Sequence, residues 1–230
     1  MNDDHWDPEH FCGITRLFPL PNVVLFPHVL QPLHIFEPRY RQMTADALDD
    51  DRLIALAQLR PGWEANYACS PAIYPVACLG KIVAHQKLED GRYNILLQGL
   101  SRIRIVREVP HEKQYRLAKV ELLTEVPLPS PDLERKLRRQ MIKLVPTWFP
   151  AADAVLKQFR KLLRSELPLG SLCDIIAFAL PFEVEVSQAL LAELDVGQRV
   201  RRLLHHLANH EPPKGAAADQ RQFPPEFSRN

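Results

Sequence analysis

The spacing of apolar residues changes character near residue 126. From Ile14 to about Glu125 the apolar positions come in short runs broken by Pro, Gly and Asp, the pattern of strands rather than helices. ITRLFPL, NVVLFP and LQPLHIF (30–36) read as strand-like segments, the last apolar on both sets of alternate positions and so buried on both faces. EPRYRQMTADAL then switches to a helical period, with Tyr40, Met43, Ala47 and Leu48 on one stripe. Glu37 and Pro38 suit its start, because Pro is tolerated in a first turn and an acid complements the N-terminal dipole. The run Asp49-Asp50-Asp51 ends it.

Beyond that helix, RLIALAQL (52–59) and VACLGKIVAH (76–85) predict strands on either side of an irregular loop, 60–71, that carries Trp63 and Tyr67. Asp90-Gly91 between two apolar runs is a hairpin signal. RYNILLQG, SRIRIVRE and YRLAKVELL continue the series, with Gly99 marking a bend or bulge between the first two. In SRIRIVRE the alternation places Ile103 and Ile105 inward and Arg102 and Arg104 outward. Many short strands with one inserted helix predict a small barrel or curled sheet, a closure that hides strand edges.

After the proline-punctuated stretch 126–131 the period becomes 3.6. Leu133, Leu137, Met141 and Leu144 form one stripe, and Val155, Leu156, Phe159, Leu162 and Leu163 a second. Ser171 with Asp174 reads as a capping box for a helix that Pro181 ends. A short helix over 183–193 follows, then a last one opened by Asp195 and Gln198, with Val196, Val200, Leu203, Leu204 and Leu207 on its buried side. The expected organisation is therefore α+β: a polar tail (1–12), a β-barrel domain (13–125), a linker (126–131), a helical bundle (132–210) and a disordered tail (211–230).

Composition adds little to that picture. The chain has 230 residues, 46% hydrophobic and 25% charged, and a net charge of +1, which implies no global attraction to nucleic acid or anionic membrane. Charge is uneven, however: residues 132–164 hold nine bases against three acids. Arg135, Arg138 and Arg139 are the candidate basic patch, but no aromatics are interleaved with them for base stacking, and a solvated helix face explains them as well. No apolar run reaches the ~18 residues of a membrane span, and the acidic start MNDDHWDPEH is not a secretory signal. Four scattered cysteines without a CxxC suggest free thiols in the cytoplasm.

Catalytic chemistry is not legible. No GxxxxGK[ST], GxSxG or HExxH motif occurs, so no catalytic residue, metal site or cofactor is expected. His206 and His210 have ligand-like spacing, but they read as solvated histidines at a helix end.

Three stretches carry a family resemblance. LFPLPNVVLFPHVLQPLHIFEPRYRQMT, the segment Val76 to Val106 with its Asp-Gly hairpin and LLQGLSRIRI, and LCDIIAFALPFEVEVSQALLAELDVGQRVRRLL resemble, in this order, the N-terminal region of Lon proteases. The resemblance covers residues 14–208. It implies a PUA-like barrel of about six strands followed by a helical bundle, without the ATPase and protease domains that follow in full-length Lon. It further implies a non-catalytic recognition or adaptor role toward protein or unfolded polypeptide, with RNA binding through the basic face as the alternative. The expected groove lining is Phe26, Pro27, Phe36, Arg39, Tyr40 and Trp63, where plain core packing of Phe26, Phe36 and Tyr40 competes with the functional reading.

Overall fold

The computed structural model describes residues 6–66, 70–149 and 153–211. Its first half contains β1 (Ile14–Leu20), β2 (Leu30–Ile35), α1 (Pro38–Leu48), β3 (Leu53–Gln58), β4 (Val76–Lys87), β5 (Tyr93–Val109) and β6 (Arg116–Leu122). Its second half contains α2 (Pro131–Leu144), α3 (Asp153–Leu163), α4 (Leu169–Ala179), α5 (Val184–Ala192) and α6 (Val196–Asn209). The class is α+β, with strands and helices segregated along the chain.

The strands form one sheet in the order β2-β5-β4-β3-β1-β6, and β6 pairs back to β5. Five strands therefore close on themselves, and β2 adds to the first half of β5. The β1–β3 pair is parallel, which is why β2 and α1 intervene as a crossover. Two expected strands, RYNILLQG and SRIRIVRE, are one strand of 17 residues. Gly99 sits where the β4–β5 register shifts, opposite Gly80. A Cβ there would lie 1.9 Å from the Phe26 carbonyl oxygen, so backbone approach explains the glycine. The segment NVVLFP is not a strand but part of the connection between β1 and β2, preceded by Pro21 and ending in Pro27, neither of which can donate to a ladder.

Alternate side chains feed two cores. Leu17, Leu53, Ala55, Ala57, Ala77, Leu79, Ile103, Ala118 and Val120 form a compact, alanine-rich one. The other set, including Phe18, Ile54 and Leu56, joins α1 through Met43 and continues into the helices through Leu172, Ile176, Val200 and Leu203. The apolar stripe expected for α6 is buried as read, and that of α1 is buried at Tyr40, Met43 and Ala47, with Leu48 half-buried at its end.

A buried charge cluster joins the two halves, and it corrects two expectations. Arg102 on β5 is only 2% exposed, not outward: its guanidinium grips the Asp174 carboxylate at 2.7 and 2.8 Å and donates to the Leu191 carbonyl. Asp174 is accordingly no capping residue; α4 begins at Leu169, before Ser171. Both faces of β5 are covered here, so strand alternation could not assign an outside. Arg199 on α6 is fully buried and shares Glu125 with Arg102, at 2.6 and 2.7 Å. Burial pushes the Asp174 carboxyl upward, and the two guanidiniums oppose that push. Burial also works against the Arg102 charge, but its bonds to Asp174 and the charge of Glu125 hold its pKa above the ordinary value. The linker is docked as well: Val126 bonds through its backbone to Leu194 and Val196.

Candidate functional site

A partly enclosed pocket of about 160 Å³ opens where the first turn of α1 meets the sheet. Pro19 comes from β1, Arg39 and Tyr40 from α1, and Leu59 from just after β3. Ser70 and Pro71 come from the loop before β4, and Gln114, Tyr115 and Arg116 from the turn into β6. Tyr40 reaches it because Pro38 starts the helix and the 3.6 period turns residues 40, 43 and 47 inward. Its ring packs on Phe18 at 4.5 Å, and the Arg39 guanidinium, paired with Glu37 at 2.9 Å, lies over the ring, 4.6 Å from its centroid.

The opposite wall is fixed by polar bonds. The Tyr115 hydroxyl donates to Asp46 at 2.8 Å, and burial together with that acceptor pushes the phenol pKa up. Arg116 pairs with Glu108 and donates to the Pro71 carbonyl at 2.9 Å, stapling the loop to β6. Nearby, Arg16 on β1 binds Asp50 and Asp51 at 2.7 and 2.8 Å and so ties the end of α1 to β1. The result is a small cup of mixed, mainly polar surface, in which Pro19, Tyr40, Leu59, Pro71 and Tyr115 stand beside Arg39, Ser70, Gln114 and Arg116. An apolar cavity of ~150 Å³ accepts benzene, so the volume suits one aromatic or branched side chain.

The expected groove residues divide. Arg39 and Tyr40 line the cup. Phe36 is 39% exposed beside His34, and Trp63 is half-buried at the start of a single 3₁₀ turn. Phe26 and Pro27, in the β1–β2 connection, are buried, Phe26 completely, and their place is the core. For Phe26 this is the competing core reading, and the packing of Val24, Leu25 and Phe26 drives the segment inward. Tyr67 and Cys69, which the sequence also singled out, lie outside the described residues, as does the tail beyond residue 211. Pro19, Leu59, Pro71, Gln114, Tyr115 and Arg116 were missed, because segments far apart in sequence meet only on folding.

The basic patch is less available than its composition suggests. Arg138 is held by Glu134 at 3.0 Å and by the Ser165 and Leu167 carbonyls, Arg135 by Asp132, and Arg139 donates to the Arg135 carbonyl. A second, wider hollow of about 350 Å³ lies between α5 and α6, lined by Val186, Ala189, Leu190, Arg201, Arg202, His205 and His206. His206 is not a solvated end residue: it stacks on His210 at 4.2 Å and packs on Phe182 and Trp148. Burial and His210 hold its pKa below the ordinary histidine value.

Among the described residues the cysteines are free: Cys12 is exposed, Cys78 and Cys173 are buried, and burial pushes the Cys173 thiol up to about 12. No group of three metal-ligating side chains occurs among the described residues, and no helix there is long and apolar enough to cross a membrane.

Comparison with known proteins adds a family. The model of the ATP-dependent protease La (LON) substrate-binding domain matches residues 15–209. A Lon protease from Geobacter metallireducens is 29% identical over 199 residues, 84% of this chain. Lon protease 2 of Myxococcus xanthus is 29% identical over 207 residues, 86% of this chain. The chain spans 24% of the length of each of those two relatives. Among solved structures, the N-terminal domain of the Mycobacterium avium complex Lon protease superposes with a TM-score of 0.69 at 14% identity, over 86% of this chain and 99% of that one. A Lon N-terminal domain protein from Xanthomonas campestris does so with a TM-score of 0.59 at 22% identity, over 84% of this chain and 97% of that one.

Proposed function

Because the chain belongs to the LON substrate-binding domain family, we propose that it is a non-catalytic recognition module that binds segments of unfolded polypeptide in the cytoplasm and acts as an adaptor. The observation that carries this reading is the cup beside α1. Its mixed lining of apolar, tyrosine and arginine side chains and its one-side-chain volume offer an unfolded chain a single anchor. Phe36 and Trp63 are the further aromatic contacts for the flanking chain.

The head is suited to such work because it is held rigidly. The Arg102–Asp174 clamp and the docked linker fix the cup relative to the helical body. A bound segment therefore presents itself in a set orientation.

The test replaces Gln114, an exposed rim residue, by Trp to fill the mouth from outside the core. Wild-type protein is expected to bind a fluorescein-labelled unfolded polypeptide in an anisotropy titration, and Gln114→Trp to bind it roughly tenfold more weakly at unchanged thermal stability. Wild-type protein that holds no unfolded polypeptide, or that cleaves it after rigorous purification, would overturn the reading.

A further inference from the structure

We propose that the outer edge of β4 over residues 83–87 takes up an extended, acidic stretch of polypeptide as an added strand. The proposal rests on the polypeptide-binding reading for its class of partner, but it names a different surface and a different chemistry: backbone amides and carbonyls rather than a side-chain cup.

The edge is left open by unequal strand lengths. β4 runs twelve residues to Lys87, and β5 pairs with it to the end, through Lys87↔Tyr93. On the other side β3 stops pairing at Leu53↔Lys81, and the last bond is from the Ile82 amide to the Arg52 carbonyl at 2.9 Å. Past that point no strand flanks β4 on this side among the described residues. Residues 83–87 are exposed one after another, Val83 at 43%.

Hydrogen-bond alternation says which groups are offered. The hairpin closes with the Leu88 amide on the Arg92 carbonyl at 2.8 Å and the Gly91 amide on the Leu88 carbonyl at 2.9 Å. Leu88 and Arg92 are thus a bonded pair, so Gln86 faces Asn94 as the next bonded pair. His85↔Ile95 and Lys87↔Tyr93 are the non-bonded pairs between them. The amides and carbonyls of His85 and Lys87 consequently point away from β5, toward the open side.

Charge selects the guest. On the open stretch 83–87 the cation is Lys87 and there is no acidic residue, while the nearby Asp90 carboxylate is taken up by Arg92. Lys87 also lies 5.7 Å from the Tyr93 ring, which holds its ammonium beside the edge. A guest strand with Asp or Glu beside Lys87 complements both the backbone and that ammonium. Strand addition of this kind reads little sequence, which suits a protein that must accept many unfolded chains. The α1 first turn lies close by, since Arg41 packs against Gly91 at the hairpin tip while Arg39 lines the cup. The competing role for such lysines is to protect an edge from any pairing at all.

The experiment uses the full chain and fluorescein-labelled, reduced and carboxymethylated α-lactalbumin, an acidic and permanently unfolded probe. His85→Pro deletes an amide that β5 does not use; His85→Ala deletes only the side chain. The expected result is a roughly tenfold weaker anisotropy titration for His85→Pro and less than about a twofold change for His85→Ala. The probe is also expected to slow hydrogen exchange at the wild-type amides of His85 and Lys87. If His85→Pro fails to fold, that exchange measurement decides alone. Tight binding that leaves both amides unprotected overturns the edge proposal and leaves polypeptide binding standing. Binding of no unfolded probe at all by wild-type protein overturns both. Protection already present without probe, in a protein that sediments as a dimer, assigns the edge to a second copy and overturns it too.

Discussion

Replacing Asp174 by Asn tests whether the charge cluster welds the head to the body. The substitution keeps the side chain's shape and removes its charge. Arg102 and Arg199, 2% and 0% exposed, then share only Glu125, whose side chain is 37% exposed and therefore partly screened. Breaking a buried pair by removing one partner costs ~3–5 kcal/mol, because a desolvated charge is left uncompensated. Glu125 keeps its contacts of 2.7 and 2.6 Å to both guanidiniums, so the lower end, about 3 kcal/mol, is expected. That is a large share of a typical stability of ~5–15 kcal/mol. Equilibrium urea unfolding, followed by tryptophan fluorescence and far-UV circular dichroism, measures it. A double replacement, Arg102→Met with Asp174→Leu, is expected to recover most of the loss, since apolar residues of similar volume often substitute for a buried pair without penalty. A loss below about 1 kcal/mol for Asp174→Asn would refute the argument, by showing that the cluster is hydrated rather than buried.

Other consequences are as direct. Gly99→Ala forces a Cβ to within 1.9 Å of the Phe26 carbonyl oxygen, and a loss of at least ~2 kcal/mol is expected in the same urea titration; a change under about 0.5 kcal/mol would show that the β1–β2 connection yields freely. His206, with its pKa held low by burial and His210, favours its neutral form when folded. The stability it contributes is complete above the unfolded value of ~6.5 and is lost as pH falls through the lower folded value. His206→Phe keeps the ring packing and removes the titration, so its melting temperature should fall less than that of wild type between about pH 7.5 and 5; parallel curves would dismiss the idea.

What could be read in the sequence was whatever depends on neighbours along the chain. The period of apolar residues marked α1 and α6 and their buried stripes, Asp195 marked a cap whose side chain accepts from the Gln198 amide, and Asp90-Gly91 marked the hairpin, where Gly91 has φ +79°. These signals are local, because helix faces, caps and tight turns are set by residues a few positions apart. The three quoted stretches marked the family for the same reason, each being a continuous run.

What only the tertiary structure decided involves residues brought together from a distance. Arg102 alternates like an outward strand residue, yet it points at Asp174, 72 positions later, because helices cover that face of β5 as well. Phe26 stood between groove and core in the sequence and is core, because the chain crosses over Gly99 there. The cup needs Pro19, Tyr40, Pro71 and Tyr115 in one place, and no local pattern announces that meeting. The open edge of β4 follows from β3 ending its pairing first, a comparison between two strands that neither encodes alone. Periodicity tells a side chain which way to face; the packing of distant elements decides what it finds there.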